Sequence, residues 1–139
     1  MKDTVLTTWE GDLVFKSLNP NESTLMHGSV SDDSKKISGP KILMLSSLAG
    51  CSGLDVISIL DKMKIKLDDF KMNTSALLSE DHPKYYKEVH LEYHFYGKKL
   101  NVEKINRAVE LSVTKYCGVM EMFRKFAKVS TSNHFHNEK

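Results

Sequence analysis

Apolar and polar residues alternate near the start of the chain, a pattern typical of short β-strands. Residues 5–9 and 13–15 flank a turn that contains Gly11, which favours a hairpin because glycine adopts positive φ at little cost. Residues 24–30 form a third apolar stretch, and the polar run at 31–36 is typical of a loop. The N-terminal part of the chain is therefore predicted to consist of strands.

A long apolar stretch then begins at Pro40, where proline can occupy the first helical position without losing a hydrogen bond. No strong helix breaker follows before about Lys66, so the pattern predicts a helix about 40 Å long at about 1.5 Å per residue. Leucines lie on all sides of its first half, and such a helix must be buried on all sides. Because 139 residues offer little else to cover it, we predict a homodimer that shares this helix as its core.

Strand alternation returns after the helix and predicts a pair of strands. Their buried faces are predicted to carry Phe70, Met72, Thr74, Ala76 and Leu78 on the first, and Val89, Leu91, Tyr93 and Phe95 on the second. Helical spacing then resumes, with Asn101 as N-cap and Gly118 as an interruption. The predicted single α+β domain covers residues 1–139, with N-terminal strands at 4–30, a cysteine-bearing helix at about 40–66, a strand pair at about 69–96, helices at about 102–127, and a C-terminal strand and tail at 129–139.

The charge balance limits the classes of partner. Lys plus Arg number 20 and Asp plus Glu number 18, a net charge of +2, so we expect neither nucleic acid nor a membrane surface as a partner.

The apolar stretch at 42–60 has the length of a membrane span, but we do not expect it to cross a membrane. It contains Asp55, whose insertion into a bilayer costs about 2.5–3.5 kcal/mol. The N-terminus lacks the apolar segment of a signal peptide, and two cysteines are too few for a disulfide scaffold. We expect a cytoplasmic protein.

The two cysteines are the candidate chemical groups. Cys51 lies between Gly50 and Gly53 in the apolar half of the long helix, although each glycine costs about 1 kcal/mol of helix propensity. Close approach of a second backbone or access of a substrate to the sulfur would explain them. Cys117 precedes Gly118, and the two cysteines can pair only if their helices cross with Cα atoms about 4.4–6.8 Å apart. Two unrelated core cysteines are the alternative.

The histidines do not predict a metal site. His90 and His94 share one strand face, but they stand about 13 Å apart at about 3.3 Å per residue and cannot bind one ion. His134 and His136 fall in a tail that we expect to fray, and the sequence places no third ligand beside them. The chain also lacks a glycine-rich phosphate loop. We therefore expect no metal and no bound cofactor.

Several motifs resemble the OsmC/Ohr family of osmotically inducible and organic-hydroperoxide-resistance proteins. The resemblance is carried by Gly39-Pro40, Leu48-Ala49-Gly50-Cys51 with the following Asp55-Val56-Ile57-Ser58-Ile59-Leu60, His82-Pro83-Lys84, Ala108-Val109-Glu110-Leu111-Ser112 and Lys115-Tyr116-Cys117-Gly118-Val119. It extends from about residue 39 to residue 127 and is only general over the N-terminal strands. The chain looks more like the YhfA-like branch of this family than like its peroxide-resistance branch.

This resemblance implies an intertwined homodimer, with long central helices and antiparallel sheets built from both chains. It also implies a redox protein of the oxidative stress response that reduces small apolar organic hydroperoxides bound at the subunit interface. Cys51 would attack the peroxide and become a sulfenic acid, Cys117 would resolve it to a disulfide, and an external thiol would reduce the pair.

The sequence also departs from the family's peroxidases. Those enzymes use an arginine from the N-terminal region and a glutamate after the Gly-Pro motif, whereas no arginine here precedes Arg107, and Lys41 occupies the glutamate position. The residue after the second cysteine is Gly118 rather than proline. The cations that can take the arginine's place are Lys16, His27, Lys41 and Arg124. The alternative is therefore a non-enzymatic protein that binds a small ligand or senses redox state.

Overall fold

The computed structural model describes residues 1–29 and 36–138. The chain forms two compact units, Met1–Met44 and Leu45–Lys139. Most of the loop predicted at 31–36, and the predicted end of the third strand at residue 30, lie outside the described residues.

The first unit contains a three-stranded antiparallel sheet in the order β1-β2-β3. Its strands are β1 (Leu6–Trp9), β2 (Val14–Leu18) and β3 (Thr24–Gly28). The predicted hairpin is confirmed: Gly11 has a φ of 99° in the turn between β1 and β2. The second strand starts and ends later than predicted, because its register pairs the whole of Val14–Leu18 with β3.

Helix α1 runs over Pro40–Lys62 and starts at the predicted proline. It ends before the predicted Lys66 because the chain turns at Lys64, which adopts a φ of 59°. Its buried face carries one residue every three or four positions, namely Leu45, Leu48, Ser52, Val56 and Leu60. Another face remains open in the single chain, where Leu54 is 77% exposed.

By length and composition alone, α1 would qualify as a membrane span in the described part of the chain. Its buried face nevertheless includes Ser52, and Asp55 accepts a hydrogen bond from the Ser112 hydroxyl. We interpret α1 as the core helix of the second unit.

The second unit contains a sheet of β4 (Asp69–Leu78), β5 (Tyr86–Tyr96) and β6 (Lys128–His136) in that order. The predicted inward faces are confirmed most clearly in β5, where Val89, Leu91, Tyr93 and Phe95 are at most 1% exposed. β4 pairs with β5 antiparallel, but β5 pairs with β6 parallel. The prediction of purely antiparallel sheets is wrong here, because the helices between β5 and β6 return the chain to the same end of the sheet.

The helical segment between β5 and β6 consists of three parts. Helix α2 covers Val102–Leu111, a π-helical turn covers Ser112–Tyr116, and α3 covers Gly118–Arg124. The side chain of Asn101 accepts a hydrogen bond from the backbone N–H of Lys104, as an N-cap should. The predicted interruption at Gly118 is displaced: the backbone leaves the helix at Cys117, whose φ and ψ are −76° and 103°, and Gly118 begins α3.

The predicted α+β class is confirmed, with helices and two sheets in the described residues. The predicted C-terminal strand is confirmed as β6, but the expectation that its two histidines fray is wrong. His134 and His136 belong to β6 and pair with His94 and Tyr96 of β5. The dimer and its shared sheets remain predictions.

Candidate thiol site

The structure brings Cys51 of α1 and Cys117 together in the second unit. Cys117 is 4% exposed and belongs to the hydrophobic core, whereas Cys51 is only partly buried and packs against that core. The two thiols lie close enough for Cys51 to act on Cys117 as a hydrogen-bond partner that raises its pKa, and both cysteines are free rather than disulfide-bonded. The two cysteine-bearing segments therefore approach each other at the cysteines, and the pairing of Cys51 with Cys117 stays a prediction.

The environment of Cys117 favours its protonated form. Burial, followed by the hydrogen bond to Cys51, raises the pKa of Cys117 from 9.0 to about 11, and the negative charge of Asp55 acts in the same direction. The N–H of Met120 donates to Sγ of Cys117 at 3.3 Å and opposes the shift. Cys117 is thus a buried thiol that can donate its proton to the sulfur of Cys51.

The π-helical turn determines the position of Cys117. In this turn the N–H of Cys117 donates to the carbonyl oxygen of Ser112 at 2.9 Å, five residues back rather than four. Such wide turns inside helices often occur at functional sites. The chain then straightens at Cys117, whose side chain caps the start of α3.

A buried polar cluster lies beside the two cysteines. The Oγ of Ser52 lies 2.5 Å from the hydroxyl of Tyr93 and 2.8 Å from the Oγ of Ser112. The Ser112 hydroxyl also lies 3.0 Å from Oδ2 of Asp55 and 3.3 Å from the Ser52 carbonyl oxygen. Burial raises the pKa of Tyr93 to about 12, so this hydroxyl stays protonated at neutral pH.

The glycines flanking Cys51 have different surroundings. A Cβ on Gly53 would lie 3.0 Å from the sulfur of Met72, so the close approach is of a side chain in β4 and not of a second backbone. A Cβ on Gly50 would meet nothing within 4 Å. Both glycines line an apolar groove of about 740 Å³ between α1 and β4, together with Ala49, Leu54, Ile57, Ser58, Asp61, Phe70 and Met72.

Three of the four candidate cations have identified partners. Lys16 forms an ion pair with Glu10 at 3.2 Å, and Nε2 of His27 is hydrogen-bonded to the Ser17 hydroxyl at 2.8 Å, both within the first unit. The Arg124 guanidinium of the second unit donates to the carbonyl oxygen of Val113 and to Oε2 of Glu121. These contacts hold Arg124 against the π-helical turn, and Arg124 lines a pocket of about 300 Å³ together with Cys117. Lys41 also interacts within the described structure.

The histidines gather on one face of the β5–β6 pair instead of fraying. Nδ1 of His94 is hydrogen-bonded to Nε2 of His136 at 3.0 Å, and the ring of His94 stacks on that of His134. Nε2 of His94 also lies 3.3 Å from the Glu92 carboxylate. Within the described residues, no group of three or more His, Cys, Asp and Glu side chains is arranged to hold a metal ion.

The polar cluster is the part of the site that sequence reasoning missed. The sequence does contain a signal for this cluster. Ser52 lies four residues after Leu48 and four before Val56, so it falls on the buried face of α1. Ser112 similarly follows Ala108 by four residues. Serines on an apolar stripe indicate buried hydroxyls that need partners, but the partners belong to other elements.

Together these features define a class, a small α+β protein with a partly exposed thiol hydrogen-bonded to a buried one. The chain belongs to the OsmC-like family: the model for "OsmC-like protein" matches residues 33–132. It is 32% identical over 108 residues to protein YhfA of Escherichia coli K12, with 78% of each chain covered.

Solved structures agree with this assignment. A hypothetical protein from Aquifex aeolicus has a TM-score of 0.81 at 28% identity, with 99% of each chain covered. The organic hydroperoxide resistance protein OhrB of Bacillus subtilis has a TM-score of 0.66 at 16% identity, with 96% of this chain and 98% of that chain covered. The second comparison shows a shared fold alone.

Proposed function

We propose that this protein is a thiol-dependent reductase of organic hydroperoxides, in which Cys51 attacks and Cys117 resolves. The observation that carries the proposal is the contact between a partly exposed and a buried thiol. Cys51 is the more accessible sulfur, and the raised pKa of Cys117 keeps a proton on the resolving group until it is needed.

The proposed cycle balances in three steps. The Cys51 thiolate attacks the outer oxygen of the hydroperoxide, the O–O bond breaks, and the departing alkoxide takes a proton to become an alcohol. The Cys117 sulfur then attacks the Cys51 sulfenic acid, and the thiol proton leaves with the hydroxyl as water. Two equivalents of an external small thiol finally reduce the disulfide and become a disulfide themselves.

An apolar substrate is supported by the groove between α1 and β4, which Gly50 and Gly53 line on either side of Cys51 in the sequence. Leu54, Ile57, Phe70 and Met72 contribute most of its apolar lining. A structural neighbour is named as an organic hydroperoxide resistance protein, which agrees with a substrate of this class. We propose alkyl and aryl hydroperoxides rather than hydrogen peroxide as substrates, because only the former bury apolar surface in the groove.

We further propose that the working form is a cytoplasmic homodimer. The outer face of α1 exposes Leu54 and Ile57 by 77% and 46%. A second copy of the chain would cover this apolar face and with it the groove that Leu54 and Ile57 line. A chain with two cysteines, too few for a disulfide scaffold, agrees with the cytoplasm, where glutathione and thioredoxin keep thiols reduced.

Mass spectrometry after one equivalent of cumene hydroperoxide tests the proposed chemistry. We expect the wild-type protein to lose two hydrogens within seconds and to give a Cys51–Cys117 disulfide peptide. Cys117→Ser should instead accumulate a sulfenic acid at Cys51 that dimedone traps. Cys51→Ser should leave Cys117 reduced. Two thiols that stay alkylatable in the wild-type protein after minutes of exposure would contradict the mechanism.

A non-enzymatic binding protein is the second candidate, and the groove favours it, because a volume of about 740 Å³ accommodates a small apolar ligand. This function requires binding without any change at the cysteines. Calorimetric titration of the Cys51→Ser variant with cumyl alcohol, which cannot oxidise a thiol, tests it. Binding by the variant together with unreactive wild-type thiols would favour this second candidate over the reductase.

A further inference from the structure

A chain of hydroxyl groups crosses the core of the second unit and ends at a carboxylate. It passes from Tyr93 to Ser52 at 2.5 Å, from Ser52 to Ser112 at 2.8 Å, and from Ser112 to Asp55 at 3.0 Å. Tyr93, Ser52 and Ser112 are completely buried. Such groups are costly to bury without partners, so this chain needs a structural or functional reason.

The chain has one consistent set of donors. The carboxylate of Asp55 only accepts, so the Ser112 hydroxyl donates to it. Each hydroxyl carries a single proton, so Ser52 then donates to Ser112 and Tyr93 donates to Ser52. Aligned hydrogen bonds of this kind strengthen one another in a low-dielectric interior. The chain therefore fixes the orientation of all three hydroxyls.

Ser112 is the member that connects both cysteine-bearing segments. Its side chain bonds to Ser52, the residue that directly follows Cys51 in α1. Its carbonyl oxygen accepts the hydrogen bond from the N–H of Cys117 at 2.9 Å. One residue thus ties the backbone of Cys117 and the helical turn of Cys51 to a common point.

We propose that Ser112 is a positioning residue that holds Cys117 at reacting distance from Cys51, with Ser52 and Asp55 as the partners that fix it. The proposal deepens the proposed function and rests on it only in assuming that the two cysteines form a disulfide. The hydrogen bonds of Ser112 limit the motion of the π-helical turn relative to α1, and limited motion of this kind raises the effective concentration of one thiol at the other. Without its hydroxyl, the turn keeps its backbone bond to Cys117 but loses its side-chain bonds to α1.

Equilibration with glutathione tests the proposal without any peroxide. Oxidised glutathione takes two electrons from the thiol pair and the two thiol protons appear on two molecules of reduced glutathione, so the equilibrium constant reports how readily Cys51 and Cys117 pair. We expect Ser112→Ala to lower this equilibrium constant about tenfold, because the loss of the Ser112 hydroxyl and its hydrogen bonds leaves Cys117 less well positioned against Cys51. The fraction oxidised is measured by alkylation and mass spectrometry over a range of glutathione ratios.

Two matched variants separate positioning from general stability. Thr114→Ala removes a hydroxyl from the same π-helical turn, where it donates to the Glu110 carbonyl oxygen at 2.7 Å on the exposed side. Tyr93→Phe removes the far end of the chain and leaves the bonds among Ser52, Ser112 and Asp55. Thr114→Ala should keep the wild-type equilibrium constant within about twofold, and Tyr93→Phe should lower it less than Ser112→Ala does, since Ser112 alone among these residues bonds to both cysteine segments.

Several outcomes overturn the proposal. The proposal fails if the Ser112→Ala protein folds and keeps the wild-type equilibrium constant with glutathione. It also fails if Tyr93→Phe lowers that equilibrium constant as much as Ser112→Ala does. If Ser112→Ala does not fold by circular dichroism, Ser52→Ala decides, and it must lower the constant more than Tyr93→Phe does. A wild-type protein that forms no disulfide with glutathione ends the proposal. A disulfide formed with glutathione but not with hydroperoxide contradicts the proposed reductase and leaves this inference standing.

Discussion

The backbone N–H of Met120 points at the sulfur of Cys117 from 3.3 Å. A donor in this position stabilises a thiolate and lowers the pKa of a cysteine. The pKa of Cys117 nevertheless rises to about 11, because burial and the hydrogen bond to Cys51 outweigh the single N–H group. Burial, together with the contact between the two thiols, therefore keeps Cys117 protonated.

Removing that contact should change the titration of Cys117. In Cys51→Ala, the pKa of Cys117 should fall below about 11 but stay above 9.0, because burial remains while the Cys51 contributions disappear. The measurement is the initial rate of alkylation at Cys117 by iodoacetamide, followed by peptide mass spectrometry as a function of pH. Asp55→Asn, with Cys51 intact, serves as a control and should lower the pKa less, since Asp55 is the smallest of the contributing causes. An unchanged profile in Cys51→Ala would show that the thiols do not interact in solution.

Tyr93 should make the protein less stable at alkaline pH. Its pKa rises from 10.0 to about 12 in the folded chain, so the unfolded chain loses the proton first. The stabilisation is complete below pH 10 and is lost as the pH rises through about 12. We expect the free energy of unfolding to fall over this window in the wild-type protein and to fall less in Tyr93→Phe, measured by urea denaturation at each pH.

The control for that experiment is Tyr85→Phe, since the Tyr85 side chain is 52% exposed. Its pH dependence should match that of the wild-type protein. Equal alkaline slopes for Tyr93→Phe and the wild-type protein would contradict the assignment of Tyr93 as a protonated, buried donor.

The two glycines beside Cys51 should respond differently to alanine. Gly50→Ala should raise the free energy of unfolding by about 0.5–1 kcal/mol, because alanine favours the helix and the new Cβ meets open space. Gly53→Ala should raise the free energy of unfolding by less, since the new Cβ would lie 3.0 Å from the sulfur of Met72. Thermal and chemical denaturation of both variants measure the difference. A loss of stability that is greater for Gly50→Ala would mean that another chain or a ligand fills the space beside Gly50.

The exposed face of α1 gives a direct test of the proposed dimer. Leu54→Lys places a charge on the most exposed leucine of α1, where it would be buried without a partner charge in a dimer. We expect this variant to sediment as a monomer at concentrations at which the wild-type protein sediments as a dimer. Leu77→Lys is the matched control, since Leu77 is also exposed, at 52%, but lies on β4. A monomeric wild-type protein would contradict the proposal outright.

The sequence by itself determined the order of the elements and the start of α1. Residue alternation identified the inner face of β5, and proline and asparagine identified the starts of α1 and α2, because these signals act within a few residues of the chain. Resemblance to known motifs identified the family and both cysteines, and the family assignment is confirmed. The roles of the cysteines remain proposals.

Only the tertiary structure decided what lies next to what. It made β6 parallel to β5, extended that strand to His136, and widened the helix at Ser112 into a π-helical turn. It also joined Ser52 to Ser112 across 60 residues of chain. Local patterns cannot specify such contacts, because a buried hydroxyl indicates only that it needs a partner, and the packing of separate elements determines which partner it finds.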